Sequence, residues 1–169
     1  MNKFHNTASD SANHTFWKAY SVVGTAFASR SSEPHKIHFW EEDDKTDGII
    51  RQGNGDFKIT YKRSKQRGKK TPNVDTFCII NGIEEKLALQ KYWDAFPAIP
   101  VKAANGDYNG RTGRFFRYLK EDSSTQKLVS TIKPIGKEPC RNVGKNIALF
   151  LGLSHPEVQI KSPIVLLSS

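Results

Sequence analysis

The sequence predicts a single α+β domain, with a mixed or antiparallel central sheet and about three helices. A chain of 169 residues has the length of one domain rather than two. Short apolar segments alternating with polar residues recur between turn signals, which is the pattern of half-buried strands. Three longer stretches instead repeat apolar residues at helical spacing.

Residues 1–12 are polar and are expected to form a flexible N-terminal segment, leaving 13–169 as the globular domain. Asn13 or Thr15 is placed to cap a first helix running to about residue 29, with Phe16, Tyr20, Val23 and Phe27 along one face. Pro34 ends that element, and 37–40 reads as a short strand. The acidic run Glu41, Glu42, Asp43 and Asp44 then leads into a hairpin, either as a solvated turn or as a source of extra metal ligands. With residues 52–55 as its loop, Arg51 pairs with Asp56 and Asp47 lies opposite Thr60. Phe57, Ile59 and Tyr61 then share one face, while Asp47, Asp56 and Lys58 share the other.

Residues 74–80 read as a buried strand and 83–96 as a second helix closed by Pro97 and Pro100. The stretch 103–113 is rich in Gly, Asn and Asp and reads as a turn or loop. Strands are expected at 114–119 and 127–132. Asn142 is placed to cap a third helix reaching 151, with Gly152 at its end. The segment 158–167 reads as one or two strands broken by Pro163.

Charge is the strongest global signal. Lysine and arginine outnumber the acids 26 to 17, a net charge of +9 that favours a polyanionic partner. No apolar run approaches the ~18 residues that span a bilayer, and no long basic amphipathic helix is present to lie on one. Cys78 and Cys140 are too few for a disulfide framework, so a reducing, cytoplasmic setting is expected.

The hairpin carries the sharpest chemical hypothesis. A metal-dependent nuclease needs one carboxylate on one strand, and a second carboxylate two residues before a lysine on its neighbour. Asp47 followed by Asp56-Phe57-Lys58 meets that order and resembles the PD-(D/E)xK motif of restriction endonuclease-like nucleases. Thr46 stands where the motif has proline, and Asp56 where glutamate is commoner. The resemblance covers this hairpin only. It implies a restriction-endonuclease-like fold, Mg²⁺ held by Asp47 and Asp56, and Lys58 orienting the attacking water. It also implies a homodimer that cuts both strands. The competing reading is a solvent-facing hairpin with an ordinary ion pair.

Two basic clusters follow. Lys62, Arg63, Lys65, Arg67, Lys69 and Lys70 occupy one loop without a single acid, as a phosphate-contacting segment would. Arg111, Arg114, Arg117 and Lys120 are interleaved with Phe115, Phe116 and Tyr118. Arginines in such a loop suit guanine edges, and aromatics there anchor or stack. Together the two loops are similar to the recognition arms of the pseudobarrel DNA-binding effector domains of some restriction enzymes. That likeness implies a β-rich pseudobarrel as the alternative fold.

The reading is therefore a DNA-binding protein acting on duplex DNA, with Mg²⁺-dependent phosphodiester hydrolysis as the specific enzymatic expectation. Without hydrolysis no cofactor is implied. The alternatives are a non-catalytic, sequence-specific DNA-binding module and an RNA-binding module in which Phe115, Phe116 and Tyr118 stack on unpaired bases.

Overall fold

Ser11 starts the longest helix. Its side chain accepts from the His14 amide at 3.3 Å, so α2 (Ala12–Ala26) begins ahead of where Asn13 or Thr15 would set it. In a computed structural model, which describes residues 2–30, 33–62 and 75–152, a further helix precedes it. This α1 (Asn2–Thr7) replaces the flexible segment expected there. Phe4 is fully buried and meets Phe150 edge-on at 5.5 Å. Lys18, which interrupts the apolar pattern of α2, is buried too. Its Nζ donates to the Ala8 carbonyl at 2.9 Å and lies 3.6 Å from Asp10, tying down the connection from α1. Burying an ammonium is tolerated only with such partners.

After a 3₁₀ turn at Pro34–Lys36 comes the main sheet. It is built from β1 (His38–Phe39), β2 (Gly48–Arg51), β3 (Phe57–Tyr61) and β4 (Thr76–Ile80), in that spatial order. β1 runs parallel to β2, and the other neighbours are antiparallel. Residues 113–115 run along the outer edge of β1. Phe39 N–H donates to the Gly113 carbonyl and Phe115 N–H to that of Ile37, both at 2.9 Å. α3 (Ile83–Asp94) follows β4 and carries Glu84 and Glu85 in its first turn, where the helix dipole favours acids.

The remaining elements are two small hairpins and two short helices. β5 (Val101–Lys102) pairs with β6 (Tyr108–Asn109), and β7 (Arg117–Glu121) with β8 (Leu128–Pro134). α4 (Lys137–Arg141) and α5 (Val143–Phe150) close the described chain, and α5 ends before Gly152 at φ +75°. The protein is thus α+β, as the sequence predicts. Among the described residues it has five α-helices, a mixed four-stranded sheet and small antiparallel sheets, with no closed barrel. The expected strands at 158–167 lie outside the described residues.

One core joins α2 and α3 to one face of the sheet. Phe39, Ile49, Phe57, Ile59, Tyr61 and Ile80 point into it, where they meet Phe16, Val23, Leu89, Tyr92, Trp93 and Phe96. Phe115 and Phe116 complete it. Phe115 stacks on Phe96 at 6.1 Å, and Phe116 meets Tyr20 at 5.0 Å.

Candidate nucleic-acid interface

The β2–β3 turn sets the geometry of the site. Gly55 takes φ +90°, a conformation that favours glycine, and the Asn54 side-chain oxygen accepts from the Asp56 amide at 3.0 Å. Gln52 N–H donates to the Asp56 carbonyl, so Asp56 ends the turn and Arg51 pairs with Phe57. The register is one residue away from the expected one, with Gly48 rather than Asp47 opposite Thr60. A slip of one residue turns a side chain to the other face of a strand.

The shifted register separates the acids. Continuing the ladder places Asp47 opposite Tyr61, on the face away from Lys58. An Asp47 oxygen accepts from the Lys62 amide at 2.8 Å. Asp56, at the far end of β3, is bound by Lys86 Nζ at 3.0 Å and by the Asn54 amide at 3.2 Å. Five strand positions separate Asp56 from Tyr61, a span of about 16 Å. Carboxylates so placed do not share one Mg²⁺, whose oxygen ligands sit at about 2 Å. Lys58 is not near Asp47 either. Its Nζ lies 4.6 Å from the centre of the Phe77 ring. The acidic run adds no ligand to either acid: Asp44 instead binds His38 Nδ1 at 2.8 Å and the Thr46 amide at 2.9 Å. Burial alone raises the Asp44 carboxyl, but those hydrogen bonds outweigh it and hold its pKa below the usual range.

What the hairpin does build is a sheet face that, among the described residues, has no helix over it. Gly48 and Ile50 of β2, Lys58 and Thr60 of β3, and Phe77 and Ile79 of β4 share this side by register. Phe77 is 59% exposed and Ile79 37%. Trp40, just past β1, lies against Gly48, where even one added carbon would fall 2.8 Å from the Trp40 backbone. Glycine at position 48 is therefore what lets the indole sit across β2. Lys62 follows β3, and its Nζ lies 5.4 Å from the Trp40 ring, 3.2 Å from the Glu42 carbonyl and 3.5 Å from Asp75. Trp40, Lys58, Lys62 and Phe77, with Arg51 and Gln52, line an open depression of about 590 Å³.

The other predicted contacts divide sharply. Arg63, Lys65, Arg67, Lys69 and Lys70 lie outside the described residues. Arg117 is only 6% exposed, and its guanidinium donates to the carbonyls of Gly110 and Thr112 and to the Asn109 side chain. Its fork is used inside the protein. Phe115 and Phe116 are fully buried, so they are core residues rather than stacking surfaces. Tyr118 is exposed beside Lys133, whose Nζ lies 5.4 Å from its ring. Arg111 is half-buried over Trp93 at 5.2 Å, and its Nε has no hydrogen-bond partner among the described residues. Arg114 is half-buried at the β1 edge, where it forms a bridge with His38. Burial pushes the nearby Cys140 thiol up to about 12, with the Arg114 charge opposing. Lys120 is exposed beside the β5–β6 hairpin.

Trp40 and Phe77 carry no signal in the sequence that marks them as surface residues. Residues 76–80 are apolar at nearly every position, so their pattern does not say which face is covered. Among the described residues no helix is long and apolar enough to cross a membrane. No protein-family model, no curated protein and no solved structure matches the chain.

Proposed function

We propose that this protein binds nucleic acid through the uncovered face of its four-stranded sheet. One observation carries the reading: two aromatic rings and two lysines alternate on that face, with Lys58 beside Phe77 and Lys62 beside Trp40. Rings offer π-faces to bases and ammonium groups offer charge to phosphates, which is the usual chemistry of nucleic-acid platforms. The net charge of +9 supports a polyanionic partner, and the run of basic residues in the sequence begins at Lys62 on this face. The proposal is for binding. For hydrolysis the hairpin offers no shared carboxylate pair, because Asp47 and Asp56 sit at opposite ends of the ladder.

Fluorescence anisotropy with labelled oligonucleotides, across a salt series from 50 to about 200 mM, tests this. Affinity should fall steeply with salt. The double variant Lys58→Ala/Lys62→Ala should weaken binding and flatten the log–log salt slope by about 1.4 to 1.8, the value for two lost phosphate contacts. Absence of binding at low salt, or a double variant that binds like the parent, would overturn the proposal.

A further inference from the structure

Resting on that nucleic-acid reading, we infer that the occupant of the sheet face is a single strand rather than a duplex. Both rings have a lysine ammonium near the ring centre, so the surface available for contact includes the π-face. A base can take the ammonium's place only if its own face is free. In a duplex the base faces are stacked on one another, and only edges and phosphates are presented. The site is also a depression, not a projection. Duplex readers insert a helix or a β-ribbon into a groove, whereas the described residues of this face form a hollow that receives.

The layout suits an extended chain of nucleotides. Lys58, Thr60 and Lys62 lie in line along β3, with the two lysines four positions apart, a span of about 13 Å. Phe77 stands on β4 to one side of this line, and Trp40 lies over Gly48 of β2 on the other. The rings are therefore carried two strand spacings apart, or about 10 Å. A sugar–phosphate backbone following β3 would meet both lysines and turn one base onto each ring. Gln52 at the end of the face supplies a polar group for base edges, while Thr60 between the rings is buried and forms the floor. Lys62 would exchange its contacts with Asp75 and the Glu42 carbonyl for a phosphate. Its four-carbon stem allows that movement.

The test uses the full chain and labelled dT12, U12 and a blunt 12-base-pair duplex at one salt concentration. The inference expects dT12 or U12 to bind at least ten-fold more tightly than the duplex, and the comparison of those two separates DNA from RNA. Phe77→Ala, at an exposed position, should weaken single-strand binding about 5- to 150-fold, the worth of one base stack, with the salt slope unchanged. Trp40→Phe keeps a ring, so it should retain binding while losing the part of the tryptophan fluorescence quenching that comes from position 40. Equal or tighter duplex binding, or a neutral Phe77→Ala, would overturn the single-strand inference. Nucleic-acid binding itself would survive that result if Lys58→Ala/Lys62→Ala still weakened it. If none of the three ligands binds at low salt, the nucleic-acid reading fails and the inference fails with it.

Discussion

Tyr92 holds two elements together through one hydroxyl. It donates to the Arg117 carbonyl at 2.6 Å and accepts from the Arg117 amide at 2.7 Å. The need arises because Arg117 stands opposite Pro134 in the β7–β8 ladder, and proline has no N–H to give. Tyr92→Phe keeps the ring packing but leaves a buried donor and a buried acceptor without partners. It should cost about 2–3 kcal/mol in urea unfolding; a loss below about 0.5 kcal/mol would mean that water replaces the hydroxyl. The Arg117 side chain shows the same logic. Burial lowers its pKa from the ordinary value, and its donors are engaged by neighbouring carbonyls instead of a carboxylate. An arginine between a phenylalanine and a tyrosine reads in sequence as a surface contact, yet here it fixes the loop at 109–113.

At the scale of elements, the hairpin is decided by its turn. Asn54 and Gly55 mark the turn in the sequence, but whether Asp56 belongs to the turn or to the strand cannot be read from residue types. That single position determines which face Asp47 occupies. The close approach of β1 and β2 is the second constraint, and it supports a direct comparison. Gly48→Ala places a methyl against Trp40 backbone and ring. It should destabilise by about 1–3 kcal/mol and alter the near-ultraviolet circular dichroism of the indole. Lys86→Ala removes the ion pair from α3 to Asp56, and should cost no more than about 1 kcal/mol because both side chains retain solvent contact. If the two variants lost similar stability, the packing of Trp40 on Gly48 would not be the constraint described.

For the whole molecule, charge and burial together set the response to acid. Burial lowers the pKa values of His5 and His35 below the ordinary 6.5. Each imidazole therefore binds its proton less readily in the folded state than in the unfolded one. The stability linked to them is fully present above pH 6.5 and is lost as pH falls toward the folded values. A second stage comes from carboxylates. Asp10 is held down chiefly by its hydrogen bond with Lys91, and Asp44 by its bonds to Thr46 and His38 against the effect of burial. Their contribution is present above the ordinary 3.8 and lost below it. Urea midpoints at neutral pH, about pH 5 and about pH 3 should therefore fall in two stages, and His35→Gln should flatten the first. A midpoint that rose between neutral pH and pH 5 would contradict this account.

The order of residues was enough for the fold class, the helices α2, α3 and α5, and the strands flanking the hairpin turn, because each rests on local periodicity and turn chemistry. Composition set the charge, and with it the class of partner now proposed. Which side of each strand is covered depends on long-range packing. Phe115 and Phe116 went to the core because residues 113–115 pair with the edge of β1 and their neighbours pack on α2 and α3. Phe77 stayed outside because, among the described residues, no helix packs on that face of β4. Burial depends on what lies opposite a side chain, and that neighbour is remote in the chain. The hairpin acids illustrate it most simply: their order along the sequence fits a metal site, and one residue of register places them on different faces.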